Sequence, residues 1–406
     1  MKKNILVGQS GGPTAVINGS LYGVVTRGLE SPDIHKVYGM INGIEGFLNG
    51  RMMDMAALEE DGTLPLLKTT PGAYLGSCRY KLPEDLSDPV YPELFARFAD
   101  LDIQAVFYIG GNDSMDTVSK LSRYAASHDS DIRFIGIPKT IDNDLVLTDH
   151  TPGFGSAAKY VASTVREIGV DASVYDNKPS VTIVEIMGRH AGWLTAASAL
   201  ARKFEGDNPV LIYLPETAFD QERFLSQTRE ALKKKNNLVI CISEGIHDAD
   251  GTFICEYASE VGTDTFGHKM LTGSGKYLEN LVKEKLGIKV RSVELNVSQR
   301  CSSACLSRTD LEEAVRAGSF ALDCAMEGKT GVMITFERQD GASYQMVPGT
   351  ADVNQICNEE KVVPAGWITP DGCDVTESFL NYARPLIQGQ VEVPQEDGLP
   401  HFIYRK

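Results

Sequence analysis

A chain of 406 residues with 42% apolar and 23% charged side chains is longer than one ordinary core, so two α/β domains are expected rather than a fibre or a disordered polymer. The formal net charge of -16 excludes the basic face that nucleic acid requires, and the run Lys233, Lys234, Lys235 reads as a solvated helix end. Eight cysteines without the dense pairing of a secreted scaffold fit a reducing cytosol, and the short apolar run after Lys3 is neither signal peptide nor membrane span, so a cytoplasmic location is expected.

Short β-branched runs alternate with longer amphipathic stretches, the pattern of parallel strands joined by crossover helices, so the fold class is α/β. Predicted strands are Asn4 to Val7, Lys36 to Met40, Gln104 to Ile109, Arg133 to Ile137, Ser180 to Ile186, Val210 to Leu214, Leu238 to Ile242, Arg291 to Val297 and Gly331 to Phe336. Polar, glycine-containing turns follow these strands, where open α/β sheets bind ligands. The first turn offers Gly8, Ser10, Gly11 and Gly12 before a helix predicted to open near Thr14. Such N–H groups suit a phosphate, although the same turn serves equally as a plain structural one and lacks the Walker lysine.

The third strand is followed by Gly110, Gly111, Asn112, Asp113 and Ser114, with Ser114 or Asp113 as the expected helix cap. The fourth is followed by Lys139, Thr140, Asp142, Asn143 and Asp144, a cation, a hydroxyl and two acids that a solvated loop rarely needs. A domain change is expected after the turn at Asp149 to Gly155. The fifth strand ends in Met187, Gly188 and Arg189, with His190 read as structural, and the seventh in ISEG, which carries Glu244. Cys301 and Cys305 are spaced as on one helical face, without partners for a zinc site. From about Val347 the apolar periodicity weakens, and residues 347–406 are read as a C-terminal extension.

Phosphoryl transfer to an alcohol asks for cations and magnesium around the phosphate oxygens and a carboxylate for the hydroxyl proton. Asp142 suits the base and Lys139 the cation, while an arginine such as Arg189 can fork onto a phosphate. PKTIDND at Pro138 to Asp144, GGNDS at Gly110 to Ser114, MGR at Met187 to Arg189, LGSCR at Leu75 to Arg79 and the opening GQSGGPTAVIN together resemble the phosphofructokinase family, in its pyrophosphate-dependent branch.

That resemblance implies two doubly wound, Rossmann-like domains with the active site in the cleft between them. Residues 1–154, completed by 299–346, would hold the phosphoryl donor, and residues 155–298 the sugar phosphate. Asp142 matches the base on the sugar 1-hydroxyl, with Thr140 and Asp144 beside it. Met187, Gly188 and Arg189 match the sugar-phosphate pocket, Glu244 a sugar-hydroxyl acceptor, and Arg291 and Arg300 cations on the 6-phosphate. Gly11, Gly111 and Arg79 match donor contacts. Asp113 and Lys139 stand where ATP-using relatives carry glycine: the carboxylate would repel a nucleotide's α-phosphate, and the lysine would neutralise the leaving phosphate.

Fructose 6-phosphate, pyrophosphate and Mg2+ are therefore the expected substrates and cofactor, in a homodimer or homotetramer. Three departures accompany the match. Asn112 stands where many relatives have a metal-linked aspartate, so the metal at this position is expected to be held through waters, phosphates and other carboxylates. LNVSQR at Leu295 to Arg300 replaces LGHIQR, and the family's cross-subunit arginine is missing near Ser180, with Lys178 close by. The alternatives are an ATP-dependent phosphofructokinase, sedoheptulose 7-phosphate as a second acceptor, or a regulatory paralogue that binds sugar phosphate without catalysis.

Overall fold

Every β-branched run named above becomes a strand in the computed structural model, which describes residues 3–174, 176–257, 273–341, 343–357 and 359–405. In chain order the strands of the two large sheets are β1 (Lys3–Gln9), β2 (Ile34–Met40), β3 (Met52–Asp54), β4 (Ile103–Gly110), β5 (Arg133–Pro138), β6 (Ser180–Ile186), β7 (Leu211–Tyr213), β8 (Asn237–Ser243), β9 (Lys289–Glu294), β10 (Val332–Arg338) and β11 (Met346–Asp352). The strand expected from Arg291 to Val297 starts earlier and ends at Glu294, because Asn296–Arg300 coil into a 3-10 turn.

The chain divides into two units, Met1–Ser156 with Arg300–Glu360 and Gln388–Lys406, and Ala157–Gln299 with Lys361–Ile387. In the first unit seven strands run in the order β11-β10-β5-β4-β1-β2-β3. β3 and β11 close its edges in antiparallel fashion. Neither was predicted: β3 is three residues long, and Pro348 and Gly349 break the apolar alternation of β11, which an edge strand tolerates.

Helices cover both faces of this sheet. On one, Ile17–Glu30 lies on Arg308–Met326 so closely that a Cβ at Gly23 would come within 2.1 Å of the Val315 carbonyl oxygen, and one at Gly318 within 2.1 Å of that of Ser20. On the other, Val90–Asp100 and Asn112–Ser127 bury Tyr91, Phe98, Val118 and Leu121 with Phe47 and Phe134. The second unit is a parallel sheet in the order β7-β8-β6-β9, packed around Val181, Ile183, Phe224, Ile240 and Leu278.

The boundary expected after Gly155 falls between Ser156 and Ala157, within the helix Phe154–Ser173. Residues 347–406, read as an extension, are instead shared between the units. Several of their apolar side chains are buried: Val353 and Ile356 join the core beside the helix Asn112–Ser127, and Phe379 and Tyr382 lie 6.3 and 5.3 Å from the Trp193 ring. Cys301 sits in a turn and Cys305 ends a 3-10 turn, so no helical face joins them. Lys233 and Lys234 do end a helix. No helix among the described residues is long and apolar enough to cross a membrane.

A buried charge network braces the chain that follows β5. His150, 1% exposed, is bonded to Asp149 at 2.8 Å and to Glu313 at 2.6 Å. Arg338 donates to Asp149 at 2.9 Å and Tyr344 to Glu313 at 2.6 Å. Burial opposes a charge on His150, but the two carboxylates outweigh it and push its pKa up to about 9. Burial likewise opposes ionised Asp149, yet His150 and Arg338 hold it down at about 2.

Because the folded His150 value lies above the unfolded one of about 6.5, its stabilisation is complete below that pH and is lost as pH rises through the folded value. The thermal midpoint of the protein is therefore expected to fall between pH 7 and pH 10. H150Q should have a lower midpoint at pH 7 and a shallower fall across this window, as read by scanning calorimetry.

Candidate functional site

β1 and β4 are neighbours, but β2 follows on one side of them and β5 on the other. Loops at such a reversal diverge and leave a crevice beyond the strand carboxyl ends. The turns at 8–12 and 110–113 lie there. Pro13 and the left-handed Gly11, at φ 76°, delay the first helix to Ile17, three residues beyond its predicted start. Gly111, in extended conformation, caps the helix Asn112–Ser127. Ser114 is not the cap: it is 2% exposed inside the first turn, packed where a Cβ on Gly110 would otherwise sit.

Pro138 ends β5 and drives Lys139 inward, 3% exposed, where its Nζ donates to the Gly12 carbonyl at 2.7 Å. A Cβ on Gly11 would lie 3.3 Å from that Nζ, and one on Gly12 3.3 Å from the Arg300 guanidinium. The loop beyond is held by its own polar groups. Asp142 N donates to Thr140 Oγ1 at 3.0 Å, and buried Asn143, left-handed at φ 55°, accepts from Thr151 N at 3.1 Å. Asn143 is a site-shaping residue that went unassigned in the sequence, since its neighbours carried all the chemistry.

The electrostatics of this cluster are mutual. Burial lowers the Lys139 pKa to about 8 against the attraction of Asp142 and Asp144, and Arg300 and Arg79 lower it further. Burial raises Asp142, which Lys139 and Thr140 pull back. Burial also raises Asp144, and the charge of Asp142 adds to it. Glu360, from the segment read as an extension, raises both acids.

Further contacts tie the residues expected on the donor side to the first turn and the helix Asn112–Ser127. Ser77 Oγ donates to the Gly11 carbonyl at 2.6 Å and Gly11 N to that of Cys78 at 3.4 Å, which brings Arg79 beside the first turn. Lys81 reaches Asp113 at 3.0 Å. The Asn112 amide nitrogen donates to the Glu359 carbonyl at 2.8 Å, so Asn112 tethers the segment carrying Glu360. Arg300, expected on the 6-phosphate, is thus found beside Gly12 and Lys139.

In the second unit the carboxyl ends of adjacent β6 and β8 bring MGR and ISEG together. Gly188 N donates to Glu244 Oε1 at 3.3 Å, Met187 N to buried Gln299 at 3.3 Å, and Ser243 Oγ to the Gly188 carbonyl. Gly188 sits at φ 142° with a Cβ position 2.6 Å from the Ala191 carbonyl oxygen, and a Cβ on Gly245 would strike that of Arg189 at 1.8 Å. Gly245 and Gln299 therefore belong to the site's frame. His190 is exposed, with its ring 6.4 Å from Phe253.

Arg291 does not join them. It pairs with Thr182, five residues before Met187, or about 16 Å along an extended strand. With Lys178, Ser180 and Lys289 it lines a cavity of about 350 Å³ at the opposite end of the sheet.

The oxygen-rich set of Asp142, Asp144 and Glu360 suits a hard cation such as magnesium. Among the described residues no three acidic, His or Cys groups converge closely enough to hold a metal by themselves. A cation here would take its remaining ligands from water and phosphate.

Residues 4–325 match the sequence profile of the phosphofructokinase family. The pyrophosphate–fructose 6-phosphate 1-phosphotransferase of Xanthomonas campestris pv. campestris is 40% identical, with 99% of this chain and 96% of the relative covered. That of Rhodospirillum rubrum is also 40% identical, covering 95% and 94%. The crystal structure of the pyrophosphate-dependent phosphofructokinase from Nitrosospira multiformis superposes with a TM-score of 0.90 at 37% identity, covering 99% and 96%. On the profile match and these near-full-length relatives, the chain belongs to the phosphofructokinase family.

Proposed function

We propose that the protein transfers a phosphoryl group reversibly between pyrophosphate and fructose 6-phosphate, giving fructose 1,6-bisphosphate and phosphate in the forward direction. The observation that carries this reading is the buried Lys139 on the Gly12 carbonyl, with Asp113 on the neighbouring turn. Glycine at both positions would leave room for a nucleotide; lysine and aspartate side chains do not.

Asp142 removes the proton of the sugar 1-hydroxyl as its oxygen attacks the near phosphorus of pyrophosphate in line, and phosphate leaves without a covalent enzyme intermediate. Desolvation makes that carboxylate a stronger base than a solvated aspartate. Lys139, Arg79 and Arg300 neutralise charge on the donor and leaving phosphates. Met187, Gly188, Arg189 and Glu244 receive the sugar. Asp144 and Glu360, with water and the phosphates, would hold magnesium beside Asp142, and the ion would supply charge neutralisation on the transferring oxygens.

The placement of Arg291 supports a homo-oligomer, in which this arginine, with Lys178 and Lys289 in its cavity, serves the sugar phosphate bound to a second copy. The eight cysteines form no disulfide among the described residues, which supports a cytoplasmic location. A purely regulatory role would leave Asp142, Lys139 and Asp113 without purpose.

The donor is tested with purified protein, magnesium and fructose 6-phosphate by following fructose 1,6-bisphosphate. Turnover is expected with pyrophosphate and not with ATP; turnover with ATP alone would overturn the roles of Asp113 and Lys139. D142N should lower kcat by roughly 10³-fold or more, with the KM for fructose 6-phosphate changed by less than about threefold, as for loss of a transition-state group. An unimpaired D142N enzyme would remove Asp142 as the base.

A further inference from the structure

We propose that Lys81 makes Asp113 compatible with pyrophosphate. Its ammonium neutralises the Asp113 carboxylate, so the clasped pair fills the space a longer donor needs without repelling the donor that fits. This inference rests on the donor reading above and assigns a specificity role to a residue outside the matched motifs.

Lys81 Nζ lies 3.0 Å from Asp113 Oδ1, with the two side chains 56% and 59% exposed. Neither is needed to fill the core, and an ion pair this open contributes little to folding, so its importance lies in its position. It bridges two donor turns. Lys81 follows Arg79 on the segment that Ser77 and Cys78 fasten to Gly11. Asp113 lies in the first helical turn after Gly111, whose Cβ position is 3.6 Å from the Lys139 carbonyl oxygen.

Charge balance gives the pair its purpose. Around the donor turns Arg79, Lys81, Lys139 and Arg300 lie with Asp113, Asp142, Asp144 and Glu360, and Lys81 also attracts Glu84, which itself bonds Lys120. Asp142 is reserved for the sugar hydroxyl, and Lys139 already answers Asp142 and Asp144. Asp113 thus depends on Lys81 for its counter-charge. Without it, an uncompensated carboxylate would face a donor carrying several negative charges. A lysine that gripped the donor directly would give the opposite dependence on Asp113.

The test is a double-mutant cycle on the full-length protein, reading the dissociation constant of magnesium pyrophosphate by calorimetry alongside steady-state kinetics. K81A is expected to weaken pyrophosphate binding about 10-fold while leaving the affinity for fructose 6-phosphate unchanged. Adding D113A to K81A should bring binding back to within about threefold of the parent, and K81R should bind like the parent. Thermal melts confirm that each variant is folded, with K81Q replacing K81A should the latter unfold.

Unchanged binding in K81A would overturn the proposal. So would a K81A/D113A protein as weak as K81A alone, which would mean that Lys81 holds the donor directly. Binding is read independently of turnover, so a failure of the donor reading shows as a parent protein that binds pyrophosphate without transferring from it.

Discussion

A buried lysine amine beside two buried carboxylates is the constraint around which the loops of the first unit are organised. Lys139 is 3% exposed with its Nζ committed to the Gly12 carbonyl, and burying an ammonium is costly unless charge answers it. Asp142 and Asp144 answer it, and Lys139 in turn favours the ionised form of each. Neither sign is tolerable alone. The loop from Pro138 to Asp144 therefore cannot relax independently of the first turn, so its cation and acids are held in a fixed orientation.

The surrounding chain makes that arrangement rigid by leaving no room for alternatives. Gly11 bends the first turn through the left-handed region next to the lysine. Asn143 does the same in the acid loop and is fixed by Thr151. Behind the loop, the His150, Glu313, Asp149 and Arg338 network joins it to β10 and to the helix Arg308–Met326. In the second unit the same economy appears at Gly188 and Gly245, where backbone meets backbone and any side chain would intrude. Rigid frames of this kind suit a reaction that depends on positioning more than on new covalent chemistry.

Much of this was legible in the sequence because it is local. β-branched runs bounded by glycine and charge gave the parallel strands, and the clustering of Lys139, Asp142 and Asp144 after an apolar strand identified the acid loop. What escaped depends on contacts distant along the chain. Glu360 stands in a stretch of weak periodicity, and contacts distant in sequence, such as the Asn112 bond to Glu359, set the place of its segment. Lys81 carries no motif until Asp113 is set against it. Arg291 illustrates the converse: strand register pairs it with Thr182, away from the MGR turn of its own chain, which residue type alone could not show. The edge strand β11 was hidden by Pro348 and Gly349, residues that an antiparallel edge accepts and a central strand does not.

The most direct test of this account is the titration of the Lys139 amine, followed by NMR of the protein labelled at lysine side chains and assigned through K139R. The mutual dependence of cation and acids predicts a midpoint near 8, well below the ordinary 10.5, and a further downward shift in D142N, because an attracting carboxylate is lost. A midpoint near the ordinary value that ignores D142N would contradict it, and would mean that Lys139 is a solvated surface cation rather than the buried charge on which the donor site depends.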